Sequence, residues 1–217
     1  MASLVSPGNR TADVGCDHAH TGIYLVQAGI SPRVLAMDLR KGPLEKAREN
    51  VLEAGLEEKI ELRLSDGLDA LGEGEADTMI ISGMGGPLIL EILERNPDKA
   101  KSVKELVLSP QSDLPEFQKG LEAMGFTVTD IRIVKDDKFY FVFKAVPAQS
   151  EAPTAPAPAP AEVWLEYLED EKKNKEKILK MLKRDDGEKA AARRDELYNE
   201  IRRIEDEINR MRNRKGI

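Results

Sequence analysis

Between residues 10 and 125, five short apolar runs alternate with four segments of helical periodicity. RTADVG, RVLAMD, KIELRLSDG, ADTMIISGMGG and ELVLSPQS have the length and aliphatic content of strands in a covered sheet. The first, second, fourth and fifth are followed by HTGIYLVQAG, GPLEKARENVLEAG, PLILEILERN and DLPEFQKGLEAMG, which read as helices. Gly29 and Gly55 suit the position just past a helix end, and Pro43 suits a first turn. Leu44, Ala47, Val51 and Leu52 should share one helix face, and Asp113 with Glu116 has capping-box spacing. This alternation predicts a parallel sheet with helices on both faces. FTVTDIRIVKDDKFYFVFKAV then breaks the pattern. Its two strands are separated only by a polar turn at 135–138, too short for a crossover, so they must pair antiparallel.

The chain changes character at VPAQSEAPTAPAPAPAE. Ala and Pro dominate there, no core can form, and an extended semi-rigid spacer is expected. The predicted organisation is a globular domain at 1–146, a linker at 147–162 and a helical region at 163–217. Charged residues make up 34% of the sequence, against roughly 25% in an average domain. The excess lies in the last region, where 16 Lys and Arg face 14 Asp and Glu, a net of +2. The rest holds 17 basic and 26 acidic residues, a net of -9. Trp164, Leu168, Ile178 and Leu182 suggest one apolar seam, and RDDGEK a break. Leu197, Ile201, Ile204, Ile208 and Met211 follow at heptad spacing. An antiparallel coiled-coil hairpin would bury both seams, and a dimerisation arm is equally compatible, so the pattern leaves monomer or coiled-coil dimer open. A single Cys permits no internal disulfide, which suits a cytoplasmic protein. No signal peptide and no apolar run near 18 residues is found, so no membrane association is expected.

DVGCDHAH, from Asp13 to His20, holds the sole Cys and both His residues. It follows the first strand, where ligands of open α/β sheets bind. A dinucleotide fingerprint needs glycine where Asp17 stands, because pyrophosphate must approach bare backbone. A carboxylate there repels pyrophosphate but accommodates the ammonium and sulfonium of S-adenosyl-L-methionine. Asp38 ends the second strand, 21 residues on, where an acid can bind ribose hydroxyls. Ser65, Asp66 and Gly67 end the third, where an acid can meet an adenine amino group. Cys16, His18 and His20 would share one side of an extended segment, yet no fourth Cys or His exists to complete a zinc site. No metal is therefore expected, with Cys16 read as a packed residue and His20 as a helix start.

ADVGCDHAH, DLRKGPLEKARENV, LSDGL, ISGMGGPLILEIL, LSPQSD and KFYFVFKA together resemble the TrmK family, bacterial enzymes that make N1-methyladenosine at position 22 of tRNA. The likeness runs over 11–146 and extends to the helical tail. It implies a class I S-adenosyl-L-methionine-dependent methyltransferase: an α/β Rossmann-like sheet ending in an antiparallel hairpin, plus a C-terminal α-helical coiled-coil hairpin. It implies a cofactor site lined by Gly15, Asp17, His18, Asp38, Leu39, Ser65, Asp66, Gly67, Gly83, Met84, Gly85 and Gly86. His20 stands where the family usually carries an aromatic residue, and only about ten residues precede the first strand.

The implied reaction needs few groups. Adenine N1 carries a lone pair and no proton, so alignment matters more than a strong base. The product is cationic, and Asp17 is the first candidate to stabilise it. N1 lies on the pairing edge, so the base must leave its helix. Gln111 could hold it, with Tyr140 or Phe139 stacked on it. An acidic domain needs help to bind tRNA, and Lys172, Lys173, Arg193, Arg194, Arg202 and Arg203 are the candidate phosphate contacts. Two other readings stay open: a methyltransferase for a small molecule that dimerises through its tail, and an S-adenosyl-L-methionine- or nucleotide-binding adaptor whose coiled coil recruits a protein partner.

Overall fold

The structure is a computed structural model of the 217-residue chain, described over residues 1–135, 139–148, 161–182 and 187–215. It divides into two compact units, Met1–Ala157 and Pro158–Ile217. Most of the expected Ala/Pro linker (149–160), most of the polar turn near 135–138 (136–138) and residues 183–186 of the helix break lie outside the described residues.

The first unit is built on seven strands: β1 (Thr11–Val14), β2 (Val34–Asp38), β3 (Ile60–Leu64), β4 (Thr78–Met84), β5 (Glu105–Pro110), β6 (Phe126–Lys135) and β7 (Phe139–Pro147). They form one sheet in the order β3-β2-β1-β4-β5-β7-β6. The first five are parallel, while β7 runs antiparallel to both β5 and β6. Met37, Met79, Ile80, Ile81, Leu106, Val107 and Leu108 are fully buried, as expected of central strands covered on both faces. Strand order reverses between β1 and β4, which places the crevice at the carboxyl ends of those two strands.

The covering helices are α1 (His20–Gln27), α2 (Lys41–Glu53), α3 (Gly86–Arg95), α4 (Pro97–Ser102) and α5 (Leu114–Ala123). On α2, Leu44, Ala47 and Val51 are buried at helical spacing, whereas Leu52 points to solvent and leaves the expected face. α4 was not legible in the sequence; it is one short turn begun by Pro97 that buries only Ala100. The capping box at Asp113 does not form. Asp113 takes the left-handed conformation, φ 56, and makes no side-chain cap bond. Capping normally uses an extended residue whose oxygen faces the N3 amide, and this backbone turns the carboxylate away.

The second unit is a helical hairpin of α6 (Ala161–Leu182) and α7 (Glu188–Lys215). Leu197, Ile201, Ile204 and Ile208 are buried at the predicted 4-3-4 spacing. On α6 the seam is shifted by one residue: Leu179 is 7% exposed and Ile178 is 45% exposed. Seven residues after the buried Leu168 comes Lys175, so the seam carries a lysine, satisfied by Glu171 at 3.4 Å and Glu200 at 2.7 Å. Lys172–Glu205 and Arg212–Glu169 pair further along, and their order shows that the helices are antiparallel. Among the described residues no helix is long and apolar enough to cross a membrane.

Candidate active site at the carboxyl ends of the strands

The loop after β1 is tightly wound. Gly15 and Cys16 both donate their amides to the Met37 carbonyl, at 2.8 and 2.9 Å. Gly15 has φ 72, and a methyl group added there would collide with Cε of Met84. Glycine is required here for its conformation and for its bare surface. Asp17 (φ 50) and Ala19 (φ 60) are also left-handed, at a cost of order 1 kcal/mol or more each, so the surrounding fold holds the loop against local preference.

Asp38 supplies part of that hold. Its Oδ2 accepts the Asp17 amide at 3.2 Å and its Oδ1 the Arg40 amide at 2.9 Å. The Arg40 guanidinium lies 3.8 Å away, and the Asp38 carbonyl accepts the Ser65 amide at 2.9 Å. One residue thus ties together the loops after β1, β2 and β3.

Asp13 lies beneath this loop, 3% exposed. Its Oδ2 is buried with no hydrogen-bond partner among the described residues. Burial, and secondly the Asp38 charge, push its carboxyl up to about 7. No signal in the sequence marked Asp13 apart from its place in the strand. Cys16 is buried and its thiol is pushed up to about 12, chiefly by burial and then by Asp13 and Asp38, which disfavours the thiolate. His18 sits with Nε2 3.8 Å from the Asp17 carboxylate and with Nδ1 buried and unpartnered among the described residues. His20 opens α1 and is exposed. No group of three His, Cys, Asp or Glu suited to a metal ion occurs among the described residues.

After β3, the Ser65 hydroxyl is used within its own turn, donating to Gly67 O and accepting from Ala70 N. Asp66 is held by both terminal nitrogens of Arg95, at 3.0 and 3.2 Å, so it faces a guanidinium contributed from α3. Leu39 is 61% exposed at the end of β2, and Leu64 is exposed at the end of β3. Together they give apolar surface beside the acids.

The glycines after β4 divide by role. A Cβ at Gly86 would strike Ser112 O and Phe117, and one at Gly85 would crowd Ser112 Oγ. These two serve the close packing of α3. Gly83, φ 76, faces open space. It lines a cavity of about 240 Å³ together with Ser82, Ser109, Gln111, Phe139 and Tyr140. Met1 and Pro110 complete the wall. The Gln111 amide donates to Met84 O at 2.9 Å, joining the ends of β4 and β5. Lys135 Nζ stands 5.0 Å from the Phe139 ring centroid. Gln111 and Tyr140 therefore share one cavity. Asp17 does not line it and stands on the β1 side. Ser82 and Ser109 were missed because no motif marks them; they are neighbours only through the β4–β5 register.

In the helical unit, most of the candidate phosphate contacts are engaged. Lys172 pairs with Glu205, Lys173 with Asp170, and Arg193 with Glu196 and Glu200. Arg194 donates to the Leu182 carbonyl. Arg202 and Arg203 are exposed.

A parallel sheet of this order, closed by an antiparallel β7 and carrying its loops at the β1/β4 switch point, defines a class I methyltransferase fold. Residues 1–143 match the family described as a methyltransferase domain, and the chain belongs to that family. The tRNA (adenine(22)-N(1))-methyltransferase of Bacillus subtilis (strain 168) is 33% identical over 153 residues, 70% of this chain and 64% of that relative. In that match the chain spans less than two thirds of the curated relative's length. Among solved structures, the B. subtilis m1A22 tRNA methyltransferase TrmK is 27% identical with a TM-score of 0.74, covering 95% of each chain. Streptococcus pneumoniae Sp1610 in complex with S-adenosyl-L-methionine is 29% identical with a TM-score of 0.73, covering 94% of each.

Proposed function

We propose that the chain is an S-adenosyl-L-methionine-dependent tRNA methyltransferase acting on N1 of an adenine, at position 22. The observation that carries this reading is the split of the strand ends around β4. Over β1–β3 lie an acid cluster and a glycine loop; over β5 and β7 lies a cavity walled by hydroxyls, an amide and two aromatic rings. The names of the B. subtilis relatives, and the ligand held by Sp1610, agree with the two halves.

The residues fit the cofactor. Asp17 and Asp38 bring carboxylates to the loop after β1, which favours a cationic ligand over a pyrophosphate. Asp38 uses one lone pair of each oxygen on backbone amides, which leaves acceptor capacity for ribose hydroxyls. Leu39 and Leu64 offer apolar surface to a purine ring, and His18 and Asp66 stand in the loops after β1 and β3. When bound, the cofactor supplies an electrophilic methyl group on sulfur.

The chain's own task is positioning. Phe139 and Tyr140 would stack on a base drawn out of its helix, Gln111 would hold its edge, and the open backbone at Gly83 joins the two halves. Asp17 would offset the positive charge gained by the ring. Lys135 at the aromatic wall is suited to the nucleotide's phosphate. In this reading 1–146 is the catalytic domain, 147–162 is a linker, and the helical region supplies further cations, Arg202 and Arg203 foremost. Lys172, Lys173, Arg193 and Arg194 would have to exchange their present partners for phosphates. A tRNA substrate and a lone buried thiol agree with a cytoplasmic setting. The test is transfer of labelled methyl from S-adenosyl-L-methionine to an unmodified tRNA transcript. Incorporation that vanishes when adenine 22 is replaced by guanine supports the proposal; incorporation unaffected by that change contradicts it.

A further inference from the structure

We infer that Ser109 reads the 6-amino group of the target base, making the cavity selective for purines that carry one; the inference rests on the reading of this cavity as the nucleotide subsite. Ser109 lies on β5 in register with Ser82 of β4, and both line the cavity. Its hydroxyl donates to the carbonyl of Phe141 on β7 at 2.9 Å. That carbonyl cannot donate in return, so the only hydrogen on Oγ is committed. What Ser109 presents to the cavity is acceptor alone. The β5–β7 pairing fixes the carbonyl, and with it the polarity of the hydroxyl.

The reacting edge of adenine carries N1, a lone pair, flanked by a 6-amino donor. A ligand that turns N1 toward the methyl-donating side at Gly83 needs an acceptor for that amino group. Guanine offers a carbonyl oxygen at the same position and would set acceptor against acceptor. The hydroxyl thus both rewards one base and rejects the other. Guanine also lacks a lone pair on N1, so it cannot isolate the effect. Unsubstituted purine keeps the N1 lone pair but, without the electron-donating amino group, has a less nucleophilic N1, so the contribution of Ser109 is read from the change in the adenine-over-purine ratio between wild type and variant.

The experiment measures kcat/KM of the full chain on tRNA bearing either adenine or purine at the target nucleotide. Wild type should prefer adenine by at least about tenfold, since one hydrogen bond in a partly closed site adds to the greater nucleophilicity of adenine N1. Ser109→Ala should lose about tenfold on adenine and little on purine, so the adenine-over-purine ratio falls about tenfold from its wild-type value while S-adenosyl-L-methionine affinity by calorimetry is unchanged. If Ser109→Ala does not fold, the mutually isosteric pair Ser109→Thr and Ser109→Val carries the comparison, with the adenine-over-purine ratio about tenfold higher in the first than in the second. Equal use of both substrates by wild type, or an equal loss on both in the variants, overturns the inference and leaves the proposed function standing. Absence of transfer to either substrate by wild type overturns the proposed function itself.

Discussion

The carboxylate of Asp38 accepts the amide of Asp17 through one oxygen and the amide of Arg40 through the other, at 3.2 and 2.9 Å. A side chain at the end of β2 therefore holds the loop after β1 in its left-handed turn. Asp38→Ala should reduce S-adenosyl-L-methionine affinity at least tenfold by calorimetry and lower stability by about 2 kcal/mol, since two amides lose a charged acceptor. Asp38→Asn, which keeps one acceptor oxygen, should fall between. Unchanged affinity in a folded Asp38→Ala protein would remove this residue from the cofactor site.

Asp13 gives a pH signature. Its folded carboxyl is pushed up to about 7 by burial and by Asp38, well above an ordinary aspartate. Between about pH 4 and pH 7 the unfolded chain has released this proton while the folded chain retains it, so this residue's contribution to stability falls as pH rises through that window and levels off above it. Asp13→Asn should flatten the dependence and be the more stable protein at pH 8. Urea denaturation at pH 5, 6, 7 and 8 checks this. A wild-type curve parallel to that of the variant would show that Asp13 ionises like a surface aspartate.

The strands and most of the helices were legible because each announces itself locally, by a run of aliphatic residues or a glycine stop. The helix-free pair β6 and β7 and the heptads of α7 were legible for the same reason. What escaped depends on residues distant in sequence. Asp66 faces Arg95, 29 residues on, and Ser82 meets Ser109 only through strand register. Lys175 occupies the α6 seam because two glutamates, one of them on α7, satisfy it, while spacing alone favoured Ile178 over Leu179. At Asp113 residue type indicated a cap and the backbone conformation denied it.

Gly15 tests the closeness of the loop to β4. Gly15→Ala forces a side chain into the left-handed region and into Met84 Cε, so it should lose S-adenosyl-L-methionine binding and at least 1 kcal/mol of stability. Adding Met84→Ala should recover part of the stability, because it removes the collision and leaves the backbone strain. No recovery would mean that strain alone explains the defect.

The helical unit is tested by salt. The double charge reversal Arg202→Glu and Arg203→Glu in the full chain should weaken tRNA binding and flatten the slope of log affinity against log salt by roughly 0.7–0.9 per lost phosphate contact. Affinity for S-adenosyl-L-methionine should stay the same. An unaltered tRNA slope would assign these arginines to another partner or to none.

The most direct measurement is nucleoside mass spectrometry of an unmodified tRNA digested after incubation with the full chain and S-adenosyl-L-methionine. The account predicts N1-methyladenosine as the new product, one per tRNA, and none from a tRNA in which adenine 22 is replaced by guanine. A methylated guanine or cytosine, a methyl group on another adenine atom, or no methylated nucleoside with the cofactor demonstrably bound would contradict it.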